Sequence, residues 1–440
     1  MTEFANRTST RPNVVIIGAG FAGLRVVQGL AGVPVNIAII DRHNYHLFQP
    51  LLYQVATAAL SPADIAFPIR RIFRSQKNVE CVLGEVTHID LTRQCLTIDS
   101  SQEIDFDYLV VAAGATHSYF GKEEWLSNAP GLKTIEDALY IRKRILLAFE
   151  EAENELDLDA QRAKLTFIIV GGGPTGVELA GALRQIAVKE IQKDYRHIDT
   201  STARVMLVEA NDRVLKSFHP VLSDHAKRDL EKLGVEIRLN GRVTAVDEQG
   251  VKIGDERIDA NNVFWAAGVL ASPLGKSLGV EMDRAGRVIV KPDLSVPGHP
   301  NVFVAGDLAS ASNPENSQPV PGVAPAAMQM GAHVAKVIRQ EILSKQPAET
   351  RLPFKYRDKG SMATIGKAKA IADIHGWRFT GFIAWLLWSM IHLMFLITFR
   401  SKVFVMLNWS YTYIFQSTGA RLITGEFKPR IRKFRDVTPN

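Results

Sequence analysis

The chain has 440 residues, 46% of them apolar and 22% charged, with a formal net charge of +6. That length allows two or three domains with cores of their own, and the composition excludes a disordered chain. Two cysteines, Cys81 and Cys95, exclude a disulfide framework, a C-x-x-C redox pair and a cysteine-based metal site, and they fit a reducing compartment.

Residues 1–11 are polar and lack an apolar stretch, so they do not read as a secretory signal. Val14, Val15, Ile16 and Ile17 then predict a strand buried on both faces. Gly18, Gly20 and Gly23 follow at G-x-G-x-x-G spacing, with Phe21 and Ala22 between the last two. At a strand-to-helix turn the first glycine permits the tight turn, and the second lets the backbone approach a pyrophosphate. The third lets the helix pack on the strand, and the helix N-terminus presents N–H groups to the anion. Asp41 closes a second apolar run over residues 35–40, where a carboxylate can hold a ribose 2′-OH. Strand, glycines and acid together predict a dinucleotide site.

Residues 42–56 are aromatic-rich and contain Pro50, which predicts a loop and then a short helix. This stretch either packs over the first unit or lines a flavin or apolar-substrate pocket. Residues 79–83 predict a short strand, and the alternation over 78–98 predicts a small β-meander. Residues 108–111 predict another buried strand, ending in Ala112-Ala113-Gly114, small enough for a flat ring or a second domain to come close. Residues 134–155 predict a helix, with Ile141, Ile145, Ala148 and Ala152 at helical spacing, and the polar stretch 154–164 leads into the next unit.

That unit repeats the first. Residues 165–170 predict a strand, Gly171, Gly173 and Gly176 repeat the glycine spacing with Thr175 inside it, and Pro174 falls in the first turn of the following helix. Residues 204–208 predict the next strand, ending at Glu209. The gap from Gly171 to this acid exceeds the usual ~20 residues and fits a longer helix and a loop over 193–202. Residues 263–265 run into Ala266-Ala267-Gly268, an echo of the earlier Ala-Ala-Gly. Residues 301–305 predict a last buried strand closing on Gly306-Asp307; a loop over 313–325 and a helix over 326–342 follow.

The C-terminal region differs in character. Residues 379–399 are 21 in number without Asp, Glu, Lys or Arg, long enough to be a transmembrane candidate. Thr380, Ser389, His392 and Thr398 interrupt the run, and the apolar segment 403–415 is too short to span. A buried helix and a spanning helix are the alternatives; the favoured reading is monotopic attachment, with Trp385, Trp388, Trp409, Tyr411 and Tyr413 at the interface. Arg421, Lys428, Arg430, Arg432, Lys433 and Arg435 follow, against only Glu426 and Asp436, as in polybasic segments over anionic lipid. No helix-turn-helix, zinc-finger or RNP signature appears, so no nucleic-acid partner is expected.

The two glycine motifs, the two Ala-Ala-Gly strand ends and the late Ala305-Gly306-Asp307 resemble two-dinucleotide-binding-domain flavoproteins. More narrowly, the loop Tyr45-His46-Leu47-Phe48-Gln49-Pro50-Leu51-Leu52-Tyr53, the stretch 171–183, and Arg400, Asn408-Trp409 and Arg421-Leu422-Ile423 resemble the type II NADH:quinone oxidoreductases. The resemblance covers nearly the whole chain. It implies an α/β fold of two Rossmann-like, glutathione-reductase-like domains plus a C-terminal membrane-attachment helical region. The implied boundaries are 12–118 with 297–350 for FAD, 119–296 for NADH and 351–440 for the membrane.

In that reading Gly18, Gly20, Phe21, Ala22, Gly23, Asp41, Ala113, Gly114, Gly306 and Asp307 hold non-covalent FAD. Gly171, Gly173, Thr175, Gly176, Glu178, Glu209, Ala267 and Gly268 hold NADH. A carboxylate at 209 accepts a 2′-OH and repels a 2′-phosphate, so NADH is preferred over NADPH. Glu178 is the implied catalytic carboxylate, near nicotinamide and flavin; the bland alternative is an acid in the first turns of a helix, favoured by the helix dipole. Relatives carry Ala-Gln-x-Ala-x-Gln where this chain reads Ala324-Pro325-Ala326-Ala327-Met328-Gln329. Pro325 therefore replaces an implied quinone ligand, leaving Gln329 and Met328.

The implied reaction is NADH + quinone + H⁺ → NAD⁺ + quinol, without proton pumping. It would take place on the cytoplasmic face of a bacterial inner membrane, against anionic lipid, with a homodimer left open. The rival readings are a sulfide:quinone-type or other FAD/NAD(P)H oxidoreductase, which would need redox cysteines, and an FAD- and NADH-binding redox sensor.

Overall fold

A computed structural model describes residues 11–415 and 421–424. The helices that matter to the site are, in chain order, α1 (Phe21–Gly29), α2 (Leu52–Ala56), α3 (Ile135–Glu153), α4 (Pro174–Gln185), α5 (Ala324–Ser344), α6 (Gly381–Phe395) and α7 (Phe399–Phe415). The described residues divide into two compact units: 11–47, 66–116 and 269–359 form one, and 48–65, 117–268, 360–415 and 421–424 the other.

The first unit is built on a six-stranded sheet in the order Ser295–Val296, His299–Val304, Tyr108–Val111, Asn13–Ile17, Asn36–Asp41, Val79–Leu83. All neighbours are parallel except the outermost pair, Ser295–Val296 on His299–Val304. Asn13–Ile17 is wholly buried, as expected of a central parallel strand covered on both faces. Helices α1 and α5 pack closely because small residues meet: a Cβ on Gly29 would come within 2.5 Å of the Ala335 Cβ, and one on Gly331 would overlap the Ala22 carbonyl.

A three-stranded antiparallel meander, Val86–Asp90, Cys95–Ile98 and Gln102–Asp105, belongs to this unit. Val79–Leu83 is not part of it but the parallel edge strand beside Asn36–Asp41. Cys81 therefore lies on the sheet edge and Cys95 in the meander; burial pushes both thiols up, which keeps them protonated and unreactive.

The second unit repeats the plan with four parallel strands in the order Val235–Arg238, Arg204–Val208, Thr166–Val170, Asn262–Trp265. Its own meander is Val243–Asp247, Gly250–Ile253 and Glu256–Asp259. Thr134 caps α3 with a reciprocal capping box to Asp137, the arrangement that satisfies two otherwise unpaired N–H donors.

The unit boundaries fall elsewhere than 118/119, 296/297 and 350/351. Residues 48–65 join the second unit because α2 packs on α3 and α4. The three-stranded sheet Ser361–Thr364, Ala370–Ile374, Trp377–Thr380 joins it too, with its first strand on α4.

The uncharged run 379–399 does not form one helix. Phe379 and Thr380 end a strand, Gly381 turns with φ +68°, and α6 has 15 residues. At 1.5 Å per residue that is about 22 Å, short of the ~30 Å hydrocarbon core. Thr398 then caps α7, its Oγ1 accepting the Ser401 N–H at 3.1 Å. Among the described residues no helix is long and apolar enough to cross a membrane. His392 is tolerated in the run because its Nδ1 bonds the Trp388 carbonyl at 2.7 Å, its ring stacks on Trp388, and burial lowers its pKa to about 4.

Candidate active site

In the first unit Gly18 has φ +96°, and a Cβ there would overlap the Ala112 carbonyl, while one on Gly23 would overlap the Gly18 carbonyl. Both glycines are fixed by packing. Gly20 has nothing within 4 Å of a built Cβ, so its backbone faces open space. It is also the N-cap of α1, with no side-chain cap and no acid in the first turn. This is the geometry that receives an anion.

The Asp41 carboxylate accepts the Ala19 N–H and the His43 N–H, each at 2.7 Å. Gly114, with φ +67°, also faces open space. Gly306 lies against Ala22 of α1 and Ala327 of α5, and its N–H contacts the Met330 sulfur at 3.2 Å. Asp307 stands in the same small cavity, beside Gly322.

Sequence reasoning missed His46 as an individual residue. It is buried, edge-on to Phe21, with its Nδ1 2.8 Å from the Ala19 carbonyl and its Nε2 without a partner. A histidine five residues after the strand-ending acid was the available signal. The open Gly20, the uncapped helix and Asp307 fit a dinucleotide such as FAD.

The second unit reproduces the loop. Gly171 has φ +111°, a Cβ on it would come within 2.7 Å of the Ala266–Ala267 peptide, and one on Gly176 would overlap the Gly171 carbonyl. Gly173 is open, as Gly20 is, and is the uncapped N-cap of α4. Thr175 is exposed in the first turn. Glu209 accepts the Gly172 N–H at 2.6 Å and, through its other oxygen, the Asn211 backbone N–H at 2.8 Å. This matches Asp41 atom for atom: each acid holds the residue between the first two glycines and the residue two positions beyond itself. The Ala-Ala-Gly ends differ, however. Gly268 is covered by the Phe120 ring, 2.6 Å from a built Cβ, whereas Gly114 is open.

Glu178 lies beyond the first turn of α4, which carries no acid, and is buried. The helix-dipole explanation therefore does not apply. Loss of hydration pushes its carboxyl up to about 8, so it is protonated at neutral pH.

Glu178 lines a cavity of about 120 Å³ walled by Trp385, Trp388 and Trp409, with Tyr53, Gln54, Thr364 and Lys367. A directed chain of hydrogen bonds runs along it. The Trp409 Nε1–H donates to Gln54 Oε1 (2.7 Å), and the Gln54 amide donates to the Tyr53 hydroxyl (2.9 Å). The Tyr53 and Thr364 hydroxyls are 2.9 Å apart, and the Thr364 N–H donates to Glu178 Oε1 at 3.3 Å. The indole N–H of Trp388 is buried without a partner. Together these groups suit a flat apolar ligand with a hydrogen-bond acceptor. Trp388 is thus a cavity wall and not an interface residue, a correction to the aromatic belt expected there. Trp385 lines the same cavity and stacks on Tyr413.

Pro325, Met328 and Gln329 lie in the first turns of α5, in the other unit. The Gln329 amide is spent on the Arg357 backbone, donating to its carbonyl and accepting its N–H, both at 3.0 Å. Met328 receives Arg25 at 3.7 Å. Among the expected basic residues, Arg421 donates to the Glu190 carbonyl at 3.1 Å and pairs with Asp194. Lys428, Arg430, Arg432, Lys433 and Arg435, with Glu426 and Asp436, lie outside the described residues.

Residues 12–331 match the family model for pyridine nucleotide-disulphide oxidoreductases, and residues 359–417 match the NDH2 C-terminal domain. The type II NADH:quinone oxidoreductase Ndh of Mycobacterium tuberculosis is 46% identical over 428 residues, covering 94% of this chain and 91% of that protein. The chain belongs to the type II NADH:quinone oxidoreductases. As a member of that family it is an FAD-dependent enzyme that oxidises NADH.

Among solved structures, NDH2 from Plasmodium falciparum in complex with NADH is similar with a TM-score of 0.86 at 19% identity, covering 94% of this chain and 100% of that one. The sulfide:quinone oxidoreductase of Aquifex aeolicus gives 0.71 at 18% identity, covering 92% and 94%. At those identities both show a shared fold and nothing more.

Proposed function

We propose that this type II NADH:quinone oxidoreductase binds FAD without a covalent bond in its first unit and NADH in its second, and reduces a membrane quinone to quinol. The observation that carries the reading is the doubled loop: two glycine turns with an open middle glycine, each braced by a strand-ending carboxylate. Bound FAD supplies the two-electron chemistry between NADH and quinone.

The residues of the chain position and neutralise. Gly18, Gly20 and Gly23 would carry one pyrophosphate, and Gly171, Gly173 and Gly176 the other. Asp41 and Glu209 would receive the riboses, and Asp307 the chain between flavin ring and phosphate. Glu209 sets the preference for NADH. Glu178, kept neutral by burial, would hold at its carboxyl oxygen the one proton that NADH + H⁺ + quinone → NAD⁺ + quinol consumes.

For the quinone ring, the aromatic cavity of Glu178 has an unpartnered Trp388 N–H. Gln329 is engaged with Arg357, and Pro325 has no side-chain donor. We therefore favour the cavity over these α5 residues for the head group.

The support for monotopic attachment is the outer face of α6 and α7. Ile383, Leu386, Met390 and Met394 fall at helical spacing with at least half of each side chain exposed, and Phe399 is 82% exposed. A face of this kind is unusual on a protein surface without a partner. We place it on the cytoplasmic leaflet of a bacterial inner membrane, with a second copy of the chain as the alternative occupant.

The test is a flavin-absorbance assay on purified enzyme supplied with lipid. NADH should bleach the flavin, and ubiquinone or menaquinone analogues should restore it through repeated turnovers. Bleaching followed by a stall would favour a redox sensor, and release of the flavin only by proteolysis would overturn the non-covalent assignment.

A further inference from the structure

The chain of hydrogen bonds ending at Glu178 has a direction, and one residue of α7 sets it. An indole N–H only donates, so the Gln54 atom facing Trp409 Nε1 at 2.7 Å is the carbonyl oxygen. The amide nitrogen must then face Tyr53, to which it donates at 2.9 Å. With its oxygen receiving that bond, the Tyr53 hydroxyl has its own proton free for Thr364 Oγ1, 2.9 Å away. Thr364 in turn holds Glu178 through its backbone N–H. Were the Gln54 amide to turn over, its oxygen would take the phenol proton, and the Tyr53 oxygen could then only accept from the Thr364 hydroxyl, which reverses the chain. Tyr53, Gln54, Thr364 and Glu178 are all buried, so the direction of each bond there carries weight.

We infer that Trp409 and Gln54 are positioning residues that fix the direction of this chain and thereby tie the seating of α7 to the protonation of Glu178. The inference rests on the reading of Glu178 as the proton-holding group.

The seat of α7 is itself well defined. Lys367 Nζ donates to the Thr412 and Tyr413 carbonyls at 2.9 and 2.6 Å, and the Trp409 ring packs on Trp388 with centroids 5.3 Å apart. The titratable groups lining the cavity with Glu178 are Tyr53 from α2, Glu190 after α4, Lys367 from the 364–370 loop and Tyr413 from α7. Helix α6 contributes Trp385 and Trp388, which do not titrate. On the helix Pro220–Leu233, which packs on α4, Asp229 is paired with Lys369 at 3.3 Å. The Lys367 ammonium is held by helix carbonyls, and burial keeps the Tyr53 phenol protonated. The direction of the Gln54 amide is therefore the element that Trp409 alone controls.

The experiment is the pH profile, from about pH 6 to 9.5, of NADH turnover with a soluble ubiquinone analogue by the lipid-supplied holoenzyme. It compares wild type, Trp409→Phe, Trp409→His, Gln54→Glu and Glu178→Gln, with Trp377→Phe at an exposed site as control. An infrared spectrum of the protonated carboxyl band, identified by its loss in Glu178→Gln, accompanies each profile. Trp409→Phe removes the donor and trims the ring that packs on Trp388; it should lower kcat about three- to tenfold, move the alkaline midpoint by roughly half a unit or more, and shift the carboxyl band. Trp409→His, which restores a ring N–H, should recover part of each change. Gln54→Glu, whose carboxyl can donate to Tyr53 only while it is protonated, should shift the midpoint even if Trp409→Phe folds poorly.

A wild-type midpoint and band in both Trp409→Phe and Gln54→Glu overturns the inference, whatever happens to kcat. An alkaline limb that survives in Glu178→Gln overturns the reading of Glu178 instead, and the inference with it.

Discussion

Glu209 receives the backbone N–H of Gly172 at 2.6 Å, so the acid expected to meet a ribose also braces the loop expected to meet the phosphates. Replacing it by Gln keeps an acceptor but removes the charge that excludes a 2′-phosphate. Glu209→Gln should lower kcat/KM for NADH by about tenfold and raise that for NADPH, measured by initial rates with each nucleotide. Equal turnover of NADH and NADPH by the wild type would contradict the assigned role.

Glu178 makes a pH prediction with a definite sign. Burial pushes its folded-state carboxyl up to about 8 from the 4.5 of an ordinary glutamate, so between those values the folded protein holds a proton that the unfolded chain has released. Stability through this group is intact below pH ~4.5 and falls as pH rises toward ~8. Glu178→Gln, which cannot ionise, should gain stability relative to wild type across that window, by a few kcal/mol at most at its upper end, at roughly 1.4 kcal/mol per pKa unit. Its quinone turnover should fall at the same time, with FAD still bound. Melting curves at pH 5, 7 and 8.5 measure the first effect; parallel curves for the two proteins would show that Glu178 is not buried as described.

The first glycine loop separates packing from binding. Gly23→Ala drives a methyl into the Gly18 carbonyl and should cost more than about 2 kcal/mol of stability. Gly20→Ala has room for its methyl in the protein alone, so its melting temperature without FAD should stay near wild type while FAD retention falls. FAD content by absorbance, paired with Tm of the flavin-free proteins, tests both. Full FAD occupancy in Gly20→Ala would place the pyrophosphate elsewhere.

Attachment is best tested by point changes, because Ala384 and Trp388 of α6 are buried and truncation from Phe379 would also remove core. Met394→Glu and Phe399→Glu alter side chains that are 66% and 82% exposed. Together they should reduce co-flotation with anionic vesicles at least fivefold, leaving Tm within a degree or two. Unchanged flotation, or a monomer released from a dimer, would identify another occupant for this face.

A buried ion-pair network offers a stability test away from the site. Arg351 contacts Asp293 at 3.0 Å and lies beside Glu341, which also accepts from Tyr108, and its guanidinium covers Phe303. Arg351→Ala leaves two carboxylates unpaired in a dry setting and should cost about 3–5 kcal/mol in denaturant unfolding. A loss below about 1 kcal/mol would mean that water reaches them.

The sequence by itself determined the repeated core. Runs such as Val14–Ile17 and Phe167–Val170, followed by glycines at fixed spacing and an acid at the end of the next strand, are local patterns. Their physics is local too: a parallel strand needs apolar residues on both faces, and a turn with φ near +100° needs glycine. Only the tertiary structure decided where Val79–Leu83 pairs, because an apolar strand carries no mark of its neighbour. It also decided the fate of residues 379–399. Hydropathy sees 21 uncharged residues, but Phe379 and Thr380 pair in a sheet, and the chain breaks again before Thr398 caps α7, which leaves α6 only 15 residues. The cavity at Glu178 was the least legible part. Tyr53, Thr364 and Trp409 stand more than 100 residues in sequence from Glu178, and a raised carboxyl pKa is a property of the groups packed round it. The glutamate itself could be named from a motif; its proton could not.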